Sequence, residues 1–134
     1  MSLAGRRYAV LVAEGVEGLE FWGTETIDGL VIPGGWAPDK MRRDPAILRL
    51  VRGVHARGLP IGIICHGGSV AISAGIVGAR ATGSLGIKDD LVNVGAEWVD
   101  EPAFRDGNLV WGRVVADIPD FCRELIALLR ERAG

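Results

Sequence analysis

The stretch Ile61-Gly62-Ile63-Ile64-Cys65-His66-Gly67-Gly68 decides how this sequence is read. Four strand-type residues run into the sequence's one adjacent Cys-His pair. Two glycines then let the backbone turn into the apolar, helix-like run Ser69-Val70-Ala71-Ile72-Ser73-Ala74. A side chain on such a strand-to-helix turn is presented at the top of a sheet, close to a helix N-terminus. The positive end of that helix favours a negative charge and therefore a thiolate. The pattern predicts a reactive cysteine, and with it an enzyme.

Working outward, near-continuous apolar strands alternate with helical patterns. Tyr8 to Ala13 reads as a strand, and Gly29 to Ile32 as a second, closed by Pro33-Gly34-Gly35. Asp44 to Arg57 reads as a helix, with Asp44 as N-cap and Pro45 in the first turn. Its apolar positions Ile47, Leu50, Val51 and Val54 follow helical spacing, and Gly58 stops it. Further on come a short helix over Ile87 to Val94, a short strand at Glu97 to Val99 and a turn at Asp106-Gly107. That turn leads into a strand from Leu109 to Gly112. A last helix begins near Asp117 and carries Phe121, Leu125, Leu128 and Leu129 on one face. Such alternation predicts an α/β fold with a mainly parallel sheet covered on both faces. Sites in these sheets lie beyond the carboxyl ends of the strands. Cys65, Gly34-Gly35 and the run Glu14, Glu17, Glu20 all follow such ends.

The bulk properties narrow the function. The 134 residues suit one domain, and 49% hydrophobic content with a mean hydropathy of +0.26 gives ample core. A net charge of −2 and a pI near 5.7 offer no footprint for nucleic acid. No apolar run reaches the roughly 18 residues of a membrane helix, and the N-terminal stretch is too short for a signal peptide. Two distant cysteines, Cys65 and Cys122, suit a reducing cytoplasm. There is no Cys-x-x-Cys, no His pair at helical spacing and no G-x-G-x-x-G after a strand. Neither a metal nor a nucleotide cofactor is therefore indicated.

Among single residues, Cys65 is the candidate nucleophile, and His66 its general base or the donor of a backbone N–H to an oxyanion. The two side chains leave the backbone in different directions, so their direct pairing is left open. Gly34 and Gly35 either place N–H groups against a substrate oxygen or form a tight turn and nothing more. The glutamates Glu14, Glu17 and Glu20 are either a solvated helix face or the source of a protonated carboxyl beside the thiolate. Their spacing does not choose. Cys122 reads as a small buried hydrophobe, His55 as structural, and Arg42, Arg43, Arg49 and Arg52 as a solvated face.

Several motifs resemble the PfpI-like family of intracellular cysteine peptidases, in the ThiJ/PfpI superfamily related to class I glutamine amidotransferases. They are Asp28 to Asp39 (DGLVIPGGWAPD), Ile64-Cys65-His66-Gly67, Ser73-Ala74-Gly75, Ile87 to Leu91 (IKDDL) and Gly95 to Asp100 (GAEWVD). The resemblance implies a single flavodoxin-like three-layer domain over 1–134, a homodimer or higher homo-oligomer, and a small-molecule or peptide substrate. It implies Cys65 as nucleophile, His66 as partner with an acid from a neighbouring subunit, and Glu20, then Glu17, as the carboxyl near the thiol. Gly35 and the His66 amide would form the oxyanion site, with Gly34, Trp36, Gly67 and Arg113 about the pocket. Peptidase, glyoxalase and deglycase chemistry on reactive aldehydes all occur in the family. A non-catalytic stress protein, acting as redox sensor or chaperone, is the alternative.

Three departures stand out. The segment between about 20 and 28 is short, where the family has a helix, a strand and a hairpin. Losing an inner strand and its cover would expose apolar surface, which favours a sequence that omits residues there. Gly68 replaces the usual Pro after Cys-His-Gly. Thr82-Gly83-Ser84-Leu85 and Trp111-Gly112-Arg113 replace Thr-Ser-Tyr-Pro-like and Thr-Ser-Arg-like segments.

Overall fold

The computed structural model describes residues 2–11 and 27–133. Strands β1 (Tyr8–Val10), β2 (Gly29–Ile32) and β3 (Ile61–Ile64) pair in parallel, β1 to β2 and β2 to β3. Between β2 and β3 the chain forms α1 (Ala37–Met41) and α2 (Pro45–Ala56). After β3 come a 3-10 turn at Cys65–Gly67 and α3 (Gly68–Ala74). A two-residue strand β4 (Arg80–Ala81), α4 (Lys88–Asn93) and β5 (Glu97–Trp98) follow. The antiparallel pair β6 (Ala103–Asp106) and β7 (Leu109–Gly112) and the long α5 (Ile118–Ala133) complete the chain.

The main sheet has the order β1-β2-β3-β7-β6, with only β6 antiparallel. Period-two alternation assigns its faces. Ile61 and Ile63 of β3, with Leu109 and Trp111 of β7, join Leu50, Val51 and Val54 of α2 and Val70 of α3 in the larger core. Ile64 and Val110 point the other way, into a second cluster with Phe121, Leu125, Leu128 and Leu129 of α5. These are the three layers expected from the sequence. On the α5 face β3 carries Gly62, and a Cβ there would lie 2.8 Å from the Phe121 ring. The missing side chain is what lets Phe121 and Leu125 approach the strand this closely.

The helix ends follow local chemistry. The Asp44 carboxylate accepts from the Ala46 N–H at 2.9 Å and Pro45 opens α2, as its sequence predicts. Gly58, at φ +69, lets the chain leave it. The arginines of this region are not simply a solvated face. Arg52 donates to the Ala74 and Ser73 carbonyls and Arg42 to the Ser73 hydroxyl, so both bind the C-terminal end of α3. Arg52 there satisfies carbonyls that the helix cannot. His55 has the structural role expected, its Nδ1 lying 3.2 Å from the Asn108 amide. Cys122 does not: it is exposed. Phe121 faces the sheet, and a step of one residue turns the next side chain about 100° around α5.

One feature was not expected. β4 and β5 do not join the main sheet but form a separate parallel pair, Arg80 with Glu97 and Ala81 with Trp98. This pair delivers the segment Thr82-Gly83-Ser84 to the end of β3.

Candidate functional site

The site is built where β3 ends. Cys65 is the one non-glycine residue at positive φ among the described residues, at +59°. A side chain in this conformation costs about 1–2 kcal/mol, and such strain persists only where the surroundings impose it. Here they do. The Ser84 N–H donates to the Cys65 carbonyl at 3.1 Å, and the Ser69 hydroxyl donates to the His66 carbonyl at 2.9 Å. A Cβ on Gly67 would lie 2.6 Å from the Ile32 carbonyl oxygen, so the elbow and the end of β2 are in backbone contact. Gly34 serves the same close approach: its Cβ would lie 2.6 Å from Cys65 Cβ and 3.2 Å from Sγ.

The turn sets the side-chain geometry. Cys65 is half-buried, and its Sγ lies 3.4 Å from His66 Nδ1. The pairing that the sequence left open is thus direct within one chain. The positive φ rotates Cys65 so that adjacent side chains meet, which an extended backbone prevents. On the far side of the imidazole, a Cβ on Gly86 would lie 3.3 Å from Nε2.

Gly34 and the His66 amide nitrogen adjoin, the latter 3.4 Å from the Gly34 Cβ position. Gly35 follows at φ +73, facing open space, and Trp36 is 92% exposed. Arg113 leaves β7 at the same edge, because Gly112 pairs with Ile64. Its guanidinium is engaged by Asp117 and by Asp100, each at 2.9 Å. The hydrogen bond from Arg113 holds the nearly buried Asp117 carboxyl below its usual range, and the hydrogen bonds to Asp117 and Asp100 raise the guanidinium further. Glu14, Glu17 and Glu20, and the connection at about 20 to 28, lie outside the described residues.

Two of the departures, Gly68 and Trp111, are in contact. The Trp111 ring edge lies 3.3 Å from where a Cβ on Gly68 would be, and Ile87 lies 2.8 Å from it. The indole and Ile87 thus occupy the space beside Gly68, and the floor under the elbow is apolar. Two buried side-chain polar atoms, Thr82 Oγ1 and Trp111 Nε1, have no partner among the described residues. Ser84 carries a site contact to which sequence reasoning gave no role. Its signal was the segment after β4, legible only as a motif difference. Among the described residues no group of three or more His, Cys, Asp or Glu side chains is gathered to hold a metal. No described helix is long and apolar enough to cross a membrane. A small cleft of about 30 Å³, lined by Arg6, Tyr8, Asp28, Leu59, Leu129, Arg132 and Ala133, contains none of the site residues.

A strained cysteine between a parallel strand and a helix, with an imidazole in contact, has the form of a nucleophile elbow on an α/β sheet. The profile of the DJ-1/PfpI family matches residues 19–128, and the chain belongs to that family. Deglycase PH1704 of Pyrococcus horikoshii is 43% identical over 107 residues, covering 79% of this chain and 64% of that protein. General stress protein 18 of Bacillus subtilis is 39% identical over 106 residues, covering 78% and 62% respectively. Among solved structures, a two-domain protein of Anabaena variabilis with DJ-1/ThiJ/PfpI-like and ferritin-like domains matches with a TM-score of 0.84 at 28% identity. That match covers 92% of this chain and 48% of that one. The chain therefore spans about 64% of the length of the deglycase it resembles. The fold is the flavodoxin-like arrangement of that superfamily.

Proposed function

We propose that this chain is a cysteine-dependent enzyme acting on a carbonyl carbon, in an amide or in a reactive aldehyde such as methylglyoxal. The observation that carries the reading is the contact of 3.4 Å between Cys65 Sγ and His66 Nδ1 at a strained backbone position. His66 takes the thiol proton, and Sγ forms a bond to the carbonyl carbon while the π electrons move to oxygen. The N–H groups of Gly35 and His66 stabilise that oxyanion, since Gly35 faces open space beside the elbow. For an amide, the adduct collapses with loss of the amine, protonated by His66, and water hydrolyses the thioester. Glu20, then Glu17, is the carboxyl proposed beside the thiol, on the family resemblance alone. The family resemblance also supports a homo-oligomer in which a neighbouring subunit can supply the acid partner of His66.

The relative named a deglycase supports aldehyde chemistry. The relative named a general stress protein supports the second reading, a non-catalytic redox sensor or chaperone. Turnover of methylglyoxal and of a fluorogenic peptide by the wild-type chain and Cys65→Ser separates them. The enzyme reading requires turnover of at least one substrate, lost in the variant. Full turnover in Cys65→Ser refutes the mechanism, and a reactive thiol without any turnover favours sensing.

A further inference from the structure

His66 is half-buried, and its ring makes one hydrogen-bonding contact among the described residues, from Nδ1 to Cys65 Sγ. A histidine ring turns about two side-chain torsions, the second of them broad. Something must therefore hold it for the contact of 3.4 Å to persist. The turn from Gly83 to Ile87 stands against the other ring nitrogen, since a Cβ on Gly86 would lie 3.3 Å from Nε2. That turn is anchored at both ends. At its start Gly83 is buried, with a Cβ position 2.6 Å from the Cys65 carbonyl oxygen. The Ser84 N–H donates to the same oxygen at 3.1 Å. At its end Ile87 is buried, and its side chain lies 2.8 Å from the Cβ position of Gly68. The Ile87 N–H closes the turn on the Ser84 carbonyl at 3.1 Å, and the Ser84 hydroxyl accepts from the Gly86 N–H at 3.4 Å. One short piece of backbone thus touches both the Cys65 carbonyl and the His66 ring.

We propose that Gly86 is a positioning residue for His66: its backbone backs the imidazole at Nε2 and keeps Nδ1 directed at the Cys65 thiol. This rests on Cys65 and His66 being the reactive pair, as set out above. The absence of a Cβ decides the fit. A methyl at 3.3 Å from Nε2 is closer than an ordinary van der Waals contact, so the ring would have to give by a few tenths of an ångström. Gly86 is not among the glycines at positive φ, so its backbone accepts an alanine. Alanine also restricts the unfolded chain, which maintains or raises stability. The substitution therefore moves the ring without weakening the fold, and so separates positioning from folding.

The test is a double-mutant cycle on the full chain: wild type, Gly86→Ala, His66→Ala and the double variant. The second-order rate at which iodoacetamide alkylates Cys65 is measured against pH, with thermal unfolding of each protein. The reagent forms one C–S bond and releases iodide and a proton, so no turnover is needed. Gly86→Ala should slow the reaction at neutral pH by about three- to tenfold, since misplacement by about 1 Å costs about 10²-fold. Its melting temperature should stay the same or rise, and its pH profile should move toward that of His66→Ala. In the His66→Ala background the same substitution should change the rate by less than about twofold, the spread expected of groups that do not interact.

An equal loss in both backgrounds overturns the inference, because position 86 would then act without the ring. An unchanged or faster rate in Gly86→Ala, with His66→Ala slowed, overturns this inference and leaves the functional reading standing. A slower rate that recovers as protein concentration is raised assigns position 86 to contacts between copies, and overturns it as well. A His66→Ala rate equal to that of the wild type refutes the functional reading and this inference with it.

Discussion

Replacing Gly34 with alanine tests whether backbone contact at the elbow sets the reactivity of Cys65. The added Cβ would lie 2.6 Å from Cys65 Cβ and 3.2 Å from Sγ. Carbon atoms in contact sit about 3.5–4.0 Å apart, so the end of β2 or the elbow must yield by about 1 Å. Overpacking of this kind costs about 1–3 kcal/mol of stability. Moving the nucleophile by that distance relative to His66, only 3.4 Å away, should lower turnover by about 10²-fold. The control is Gly75→Ala at the end of α3. There φ is +73 and nothing lies within 4 Å of the Cβ position, so strain of about 1–2 kcal/mol is added with no contact to the site. Thermal unfolding and the rate of Cys65 modification by iodoacetamide are measured for both. The two variants should lose comparable stability, and only Gly34→Ala should lose reactivity. If Gly34→Ala reacts as fast as the Gly75→Ala control, elbow geometry does not set the reactivity and the argument fails.

Two other perturbations follow from the buried polar groups. Thr82→Val removes a hydroxyl that is 1% exposed and unpartnered among the described residues, so stability should rise by about 1 kcal/mol. Chemical denaturation checks this, and a loss of similar size would mean that the hydroxyl is bonded. Asp117, depressed in the fold by its hydrogen bond from Arg113, contributes stability above its unfolded pKa near 4 that is lost as pH falls through the folded value. Asp117→Asn should therefore lower the melting temperature at pH 7 and narrow the gap between pH 7 and pH 3. An undiminished gap would assign the acid sensitivity to other groups.

Much of the fold is legible because its signals are local. Asp44, Pro45 and Gly58 fix the ends of α2 in any context, and the period of Phe121, Leu125, Leu128 and Leu129 fixes the buried face of α5. The same period places Cys122 off that face. Reading it as buried followed the habits of its residue type rather than its place on the helix. Strand β4 was missed because two residues carry no periodicity, and its partner lies well along the chain. The direct Cys65–His66 contact was also out of reach. It depends on a positive φ at a non-glycine residue, which the surrounding packing imposes and no propensity encodes. Gly68 and Trp111 each read as a separate difference from the family motifs. Only the fold shows that one occupies the space left by the other.

The proposed chemistry depends on the partnership between the Cys65 sulfur and the His66 ring. The rate at which iodoacetamide modifies Cys65 at pH 7, in the wild-type chain and in His66→Ala, measures it most directly. With the two groups 3.4 Å apart, loss of the imidazole should slow the reaction by at least about tenfold while the melting temperature stays close to the wild-type value. An equal rate in the two proteins would contradict the account.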